Sequence, residues 1–220
     1  MKPARLAITF LLLIGMVINA APIGAVSDPV LLKWQKLRDD ARLRIEMQAL
    51  LEIQVRKIFQ QGTATPTPLS DFFNGSVPHF VTLKKGERVR GCMGSLQTQR
   101  GSLDAEILEN LRRASFQDPW HPEVRADEMP GMTIYLTAVG KARPVRAIGE
   151  ISPAYDGALL RQGNREAVVL PGEAKTQRYL LALLKSKAGI DSRQTFQLYR
   201  LKTVSVGFTL PEASAEPRRN

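Results

Sequence analysis

The sequence predicts an α+β fold in which antiparallel sheets are flanked by helices. Two pairs of short apolar runs are each joined by a glycine-containing turn, Lys85-Gly86 in the first pair and Gly163-Asn164 in the second, which is typical of β-hairpins. Longer segments between them carry apolar residues at helical spacing. No segment has the order of strand, phosphate-binding glycine turn, helix and parallel strand, so a doubly wound sheet is not expected.

The composition is that of a globular chain with a strong positive charge. The chain has 220 residues, of which 44% are hydrophobic and 24% charged, and this is enough for one domain with a real core. The formal net charge of +10 favours an anionic partner, whether nucleic acid, a membrane surface or an acidic ligand. Nucleic acid is the least favoured, because no stacking aromatic residues lie among the basic strands and the N-terminus predicts export.

The N-terminus has the features of an export signal. Lys2 and Arg5 precede an uncharged apolar run at 6–17, and small residues follow it. Extended over 6–26, the same run is long enough for a membrane anchor of about 20 residues. We therefore expect residues 1–26 to be a signal peptide or a membrane anchor, and the protein to be periplasmic or anchored facing the periplasm or cell exterior.

The segment 27–61 is predicted to be helical, as one long helix or two consecutive ones. Ser27 can cap a helix, Pro29 suits a first turn, and apolar residues then recur at spacings of three and four. We expect 44–59 to be a core helix and 27–43 to be a helical spacer between a membrane and the domain.

Predicted strands and helices alternate through the rest of the chain. The strands are expected at 80–83, 89–96, 133–139, 158–162 and 166–170, with one or two more within 196–208, and the helices at 103–115 and 176–188. The chain thus divides into a signal peptide or anchor (1–26), a helical spacer (27–43), one domain (44–210) and a disordered tail (211–220).

The only cysteine lies in the stretch RVRGCMGSL, on or just after the second predicted strand. Gly91 and Gly94 flank Cys92 and remove side-chain bulk on both sides of it. Glycine within a strand marks a bulge or the close approach of another backbone or a ligand. Gly91 and Gly94 are therefore candidate binding positions beside Cys92.

One interpretation makes Cys92 a nucleophile or a covalent carrier. The reactive form is the thiolate, which nearby positive charge stabilises. Arg88 and Arg90 would share the face of Cys92 on a regular strand, and His79 or His121 could act as a base. The alternative is a buried structural thiol with Arg90 in a salt bridge, since free cysteine is among the most buried residue types.

Two further residues have competing interpretations. Asp118, ahead of Pro119, is a turn-former or cap in one and a cleft carboxylate in the other. Arg88 belongs either to a solvated hairpin tip or to an anion-binding patch. One cysteine and two histidines disfavour a metal site built from those residues, a metal would have to use carboxylates, and the sequence has no ordered carboxylate cluster. Nothing in the sequence identifies a cofactor.

The stretch FVTLKKGERVRGCMGSL (80–96) resembles the signature hairpin of the AMMECR-type domain, named after the AMME-syndrome chromosomal region. Four later stretches also resemble family segments and occur in the family's order: FQDPWHPEV, MTIYLTAV, GNREAVVLPG and YLLALLKSKAGI. The similarity therefore covers about 44–208. Trp120 and His121 replace the family's usual Arg-Phe, and Gly172 stands where Gln is usual. The export signal is also not typical of the family.

The resemblance implies a fold of two unequal lobes with a cleft between them as the active-site region. It also implies a role in a modification system (AmmeMemoRadiSam) with a Memo-like protein and a radical-SAM protein as partners. We therefore expect an accessory or binding component in which Arg88, Arg90, Gly91, Gly94 and Asp118 shape the site. The alternative is an enzyme that uses Cys92 as nucleophile or carrier in the cleft.

Overall fold

The computed structural model describes residues 28–60, 69–191 and 195–212. Within these ranges the helices are α1 (Pro29–Asp39), α2 (Ala41–Ile58), α3 (Leu103–Phe116) and α4 (Gln177–Ala188). The strands are β1 (His79–Lys85), β2 (Arg88–Gly94), β3 (Thr133–Val139), β4 (Arg143–Val145), β5 (Gly157–Gln162), β6 (Arg165–Val169), β7 (Gln197–Leu201) and β8 (Thr203–Thr209).

The strands form two antiparallel sheets, and the predicted α+β class is confirmed. The first sheet has the order β2-β1-β3-β8 and the second the order β4-β7-β5-β6. Both predicted hairpins, β1–β2 and β5–β6, are present. Lys202 alone separates β7 from β8, so the chain crosses from the second sheet to the first without a loop.

The segment predicted to be helical contains two helices, α1 and α2, because Asp40 ends the first and caps the second. Its backbone is extended (φ −98°, ψ 110°), and its carboxylate accepts the N–H groups of Arg42 and Leu43. The stretch 27–43, predicted as a spacer, does not project from the domain. Trp34 is fully buried, and its indole N–H donates to the carbonyl of Leu136 on β3 at 3.0 Å. The apolar stripe of α1 is therefore part of the core.

Two lobes of unequal size follow from this packing. The larger lobe is the first sheet with α1, α2 and α3 on one face, and its core includes Trp34, Met47, Leu83, Ile107 and Leu136. The smaller lobe is the second sheet with α4, and its core includes Ile151, Leu160, Val169, Leu180 and Leu184.

A third apolar cluster joins the lobes and is called the seam here. Its buried members are Val139, Leu159, Leu170 and Leu201, and its partly buried members include Phe80, Cys92, Leu96 and Tyr199. Since residues of both sheets contribute to it, the seam fixes which side chains of one lobe meet those of the other.

Two predicted segments lie outside the described residues: the signal or anchor at 1–26 and all of the tail beyond Glu212. Among residues 28–60, 69–191 and 195–212, no helix is both long and apolar enough to cross a membrane. The short strand β4 was not predicted, because three residues with a proline and an arginine carry no strand pattern.

Candidate functional site

Cys92 lies on β2 with its side chain in the seam between the lobes. It pairs in register with Thr82 of β1, and the Cys92 Sγ and Thr82 Oγ1 atoms are 3.2 Å apart. Its neighbour Met93 faces the opposite way and packs against the core of the larger lobe. The alternation of a β-strand therefore directs the thiol toward the smaller lobe.

Gly91 and Gly94 are required by neighbouring backbone atoms. A Cβ atom on Gly91 would lie 2.0 Å from the carbonyl oxygen of Ala114 in α3. A Cβ atom on Gly94 would lie 2.4 Å from the carbonyl oxygen of His79. Close approach of another backbone, one of the predicted reasons, thus explains both glycines, and a bulge also lies beside Gly91; their role in binding stays a prediction.

The Cys92 thiol is protonated at neutral pH. Burial raises its pKa to about 12, and the carboxylate of Glu173 acts in the same direction. The hydrogen bond with Thr82 and the charge of Lys187 lower the pKa, and Asp118 raises it. Because the nucleophilic form is the thiolate, this environment favours the structural interpretation of Cys92 over the catalytic one.

Arg90 is directed away from the thiol by a β-bulge. The β1–β2 register shifts between Leu83 and Lys84, and Arg90 is left without a strand partner. Its Nε and Nη2 atoms donate to the two carboxylate oxygens of Glu128 at 2.6 and 2.9 Å. The expectation of one regular face for Arg88, Arg90 and Cys92 therefore does not hold.

The ion pair of Arg90 is largely buried, with 9% of the arginine and 28% of the Glu128 side chain exposed. Arg90 lowers the pKa of Glu128 to about 2, chiefly through the side-chain hydrogen bond. Arg90 Nη1 is buried without a hydrogen-bond partner in the described part of the chain. Arg88, by contrast, is exposed at the hairpin end and pairs in register with Lys85.

Asp118 is the organising residue of the site. Its carboxylate, only 4% exposed, accepts the backbone N–H of Cys92 at 2.7 Å through Oδ2 and that of Trp120 at 2.8 Å through Oδ1. Oδ2 also lies 2.9 Å from Nδ1 of His121. Asp118 is thus a turn residue, as predicted, and its buried carboxylate lies beside Cys92; its functional role as a cleft carboxylate stays a prediction.

His121 and Trp120 are the accessible groups of this turn. The His121 side chain is 30% exposed and Trp120 is 58% exposed. Because Asp118 accepts from Nδ1, the ring of His121 is held in one orientation with Nε2 as its second nitrogen. The carboxylate–imidazole contact could have been suspected from the Asp-x-x-His spacing, which the prediction of His121 as a candidate base did not use.

The smaller lobe contributes a second charged pair. Lys187 of α4 donates to Glu173 at 2.7 Å, and the other carboxylate oxygen of Glu173 accepts the N–H of Leu170. Both charges act on the Cys92 thiol from across the seam. The cation next to the thiol is therefore Lys187, which sequence proximity could not reveal because it is 95 residues away.

His79 has a structural position. It is fully buried, with Nδ1 2.9 Å from the carbonyl oxygen of Val77 and its ring centroid 5.5 Å from that of Trp34. Burial lowers its pKa. In the ranges that the structure describes, no group of three His, Cys, Asp or Glu residues could hold a metal ion.

A hollow on the described surface lies away from the groups around Cys92. It has a volume of about 510 Å³ and lies beside α2, where Arg44, Ile45 and Phe208 are among its lining residues. It contains none of the groups around Cys92 and does not bear on their chemistry.

Similar proteins were found in bacteria and archaea. A Thermotoga maritima protein is 30% identical over 141 residues, covering 63% of this chain and 79% of its own. A Methanothermobacter thermautotrophicus protein is 27% identical over 157 residues, covering 71% and 78%. A Clostridium acetobutylicum protein is 26% identical over 121 residues, which is 54% of this chain but only 26% of that relative.

The fold also occurs in a solved structure. The crystal structure of an uncharacterized protein from Pyrococcus horikoshii superposes with a TM-score of 0.60 at 17% identity, covering 74% of this chain and 89% of the other. The sequence pattern of the AMMECR1 family matches residues 47–206, which include both hairpins and every residue of the site described above. The chain therefore belongs to the AMMECR1 family.

Proposed function

We propose that this protein is a binding component, and that the turn Asp118–His121 at the seam contacts its ligand or partner while Cys92 supports the turn. The observation that carries the proposal is the bonding of Asp118. One buried carboxylate accepts the backbone N–H groups of Cys92 and Trp120 and contacts the imidazole of His121, and the side chains of Trp120 and His121 are both accessible.

The state of the thiol supports binding over covalent catalysis. A pKa of about 12 leaves almost no thiolate at neutral pH, and the hydrogen bond from its own N–H ties Cys92 to the turn. An exposed aromatic ring beside an oriented imidazole is a typical anchor for a partner, since both combine apolar area with a polar atom.

The alternative is an enzyme that uses Cys92. It is supported by the contact between His121 and Asp118, because a carboxylate that orients an imidazole recurs in sites of general base catalysis. This function would require the thiol to lose its proton on ligand binding, for example through separation of Glu173 from the seam.

By family resemblance we also propose Memo-like and radical-SAM proteins as partners within a modification system. From residues 1–26 we propose export, with the domain in the periplasm or anchored facing it. Fractionation of cells that express the full-length chain tests the second proposal; recovery in the cytoplasm alone would contradict it.

The binding proposal is tested by calorimetric titration of the full-length chain with the proposed Memo-like and radical-SAM partners. We expect Trp120→Ala and His121→Ala to weaken binding at least tenfold and Cys92→Ala to leave it within threefold. Tyr155→Ala is the matched control, because Tyr155 is 80% exposed and has no contact with the Asp118 turn. Loss of binding in Cys92→Ala with an unchanged fold would instead favour the enzyme.

A further inference from the structure

A cationic surface lies along the edge of the second sheet, remote from Cys92 in sequence and unused by the proposed function. β4 is an edge strand, and the stretch Lys141–Arg146 carries three basic residues in six positions. Lys141, Arg143 and Arg146 are all exposed. None of their side chains has a hydrogen bond or an ion pair within residues 28–60, 69–191 and 195–212.

The strand register places a fourth cation, Arg200, beside this stretch. Arg143 of β4 pairs with Arg200 of β7, which places two like charges directly opposite each other on one face. Such a pair is destabilising unless something neutralises it. Arg200 Nε is buried and has no partner in the described ranges, and its Nη1 reaches only the carbonyl oxygen of Glu150 at 3.5 Å.

The acidic groups nearby are committed to other donors. The carboxylate of Glu150 accepts the backbone N–H groups of Arg146 and Ala147. Asp156 is paired with Lys202 at 2.6 Å, and Arg200 also acts on its carboxylate. The basic side chains of the stretch therefore keep most of their charge for an external partner.

The beginning of the described chain lies against the same stretch. The carboxylate of Asp28 accepts the N–H of Lys141 at 2.6 Å, so the N-terminus of α1 is fixed beside the first of these cations. In the sequence the apolar run ends at Val17, eleven residues before Asp28. Eleven residues span at most about 40 Å, so a membrane that holds the apolar run would lie within reach of this surface.

We propose that Lys141, Arg143, Arg146 and Arg200 form a cationic surface that docks the folded domain onto an anionic phospholipid membrane, beside Asp28, where the described chain begins. A basic patch beside a membrane-bound segment adds attraction to an anionic bilayer with each Lys or Arg that lies near the lipid surface. The surface would hold the domain in one orientation and leave the Asp118 turn for its partner.

Addition of a protein strand to the same edge is disfavoured. Pro144 occupies the centre of β4 and has no N–H to donate, and charged residues flank it. Edges with proline and exposed charge are those that natural sheets protect against pairing with another strand.

The test measures how the full-length chain partitions between buffer and floated vesicles of two compositions. Phosphatidylcholine vesicles report the apolar segment alone, and vesicles that also contain phosphatidylglycerol report the added electrostatic contribution. We expect a preference for the anionic vesicles that falls as salt rises. Each basic residue near an anionic surface strengthens binding about fivefold, so R143Q/R146Q should reduce the preference about thirtyfold.

The matched control is R56Q/K57Q, which removes the same charge from exposed residues of α2. Arg56 lies beside Pro130 and Leu210, at the far end of β3 and β8 from Lys141. The control should keep the preference within about twofold. An equal loss in both variants, or no loss in R143Q/R146Q, would overturn the proposal.

A random-sequence oligonucleotide completes the test. If it binds through Arg143 and Arg146 at the same salt and displaces the protein from anionic vesicles, the surface serves nucleic acid and the membrane proposal is overturned. Failure of either arm leaves the binding role of the Asp118 turn unaffected, because none of the substituted residues contacts that turn.

Discussion

The sharpest prediction concerns the reactivity of Cys92. With a pKa of about 12 against an ordinary value of 9.0, the thiolate fraction at neutral pH is lower by roughly a factor of 1000. We therefore expect iodoacetamide to alkylate the native full-length chain about 1000 times more slowly than the denatured chain at the same pH. Burial of the thiol in the seam adds to this difference.

The pH profile distinguishes the suppressed thiolate from simple steric protection. Between pH 7 and 10 the native rate should rise tenfold for each pH unit without a plateau, because the pKa lies above the range. Glu173→Gln should raise the rate and Lys187→Gln should lower it, since the carboxylate raises the thiol pKa and the ammonium lowers it.

A native alkylation rate that reaches a plateau below pH 9, or that lies within tenfold of the rate for the denatured chain, would refute the reasoning. Arg90→Ala serves as the discriminating variant, because Arg90 is bound to Glu128 and should not activate the thiol. A rate slowed by Arg90→Ala would restore the catalytic interpretation.

Three further predictions concern stability. Gly91→Ala should cost about 3 kcal/mol in the free energy of unfolding, because its Cβ would lie 2.0 Å from an α3 carbonyl oxygen; Gly101→Ala, with nothing within 4 Å, should change it by less than about 1 kcal/mol, and equal effects in urea titrations would contradict the packing argument. Arg90 lowers the pKa of Glu128 to about 2, so the pair stabilises the fold above about pH 4.5 and loses this contribution as pH falls toward 2. Glu128→Gln should therefore cost about 2 kcal/mol at pH 7 and much less at pH 2, where Glu128 is about half protonated, and a cost independent of pH would show that the charge is irrelevant. Burial lowers the pKa of His79 in the folded state, so the unfolded chain binds the extra proton and stability should fall as pH drops below about 6.5. His79→Gln should flatten this part of the profile, measured as the unfolding free energy at pH 7.5 and 5.5; an unchanged slope would count against the buried neutral histidine.

Much of the fold could be predicted because its signals are local. Turn residues predict the β1–β2 and β5–β6 hairpins, and the helical spacing of apolar residues predicts α3 and α4. Each of these signals lies within about a dozen consecutive residues. Gly189 illustrates this, since it ends α4 in the left-handed conformation (φ 62°) that favours glycine. The spacer prediction failed because it depended on whether α1 meets the sheet, and that contact joins Trp34 to Leu136 across 102 residues.

The sequence by itself determined the α+β class, the hairpin that carries Cys92, and the strong basic charge. Only the tertiary structure decided the chemistry around the thiol. The side chains of Arg88 and Arg90, neighbours of Cys92 in sequence, do not share its face of the strand, because a bulge at Arg90 interrupts the strand's alternation. The charges of Glu173 and Lys187 act on the Cys92 thiol because the two sheets pack against each other at the seam. The charges that set a pKa are those nearest in space, and proximity in space is settled by packing between elements distant in sequence.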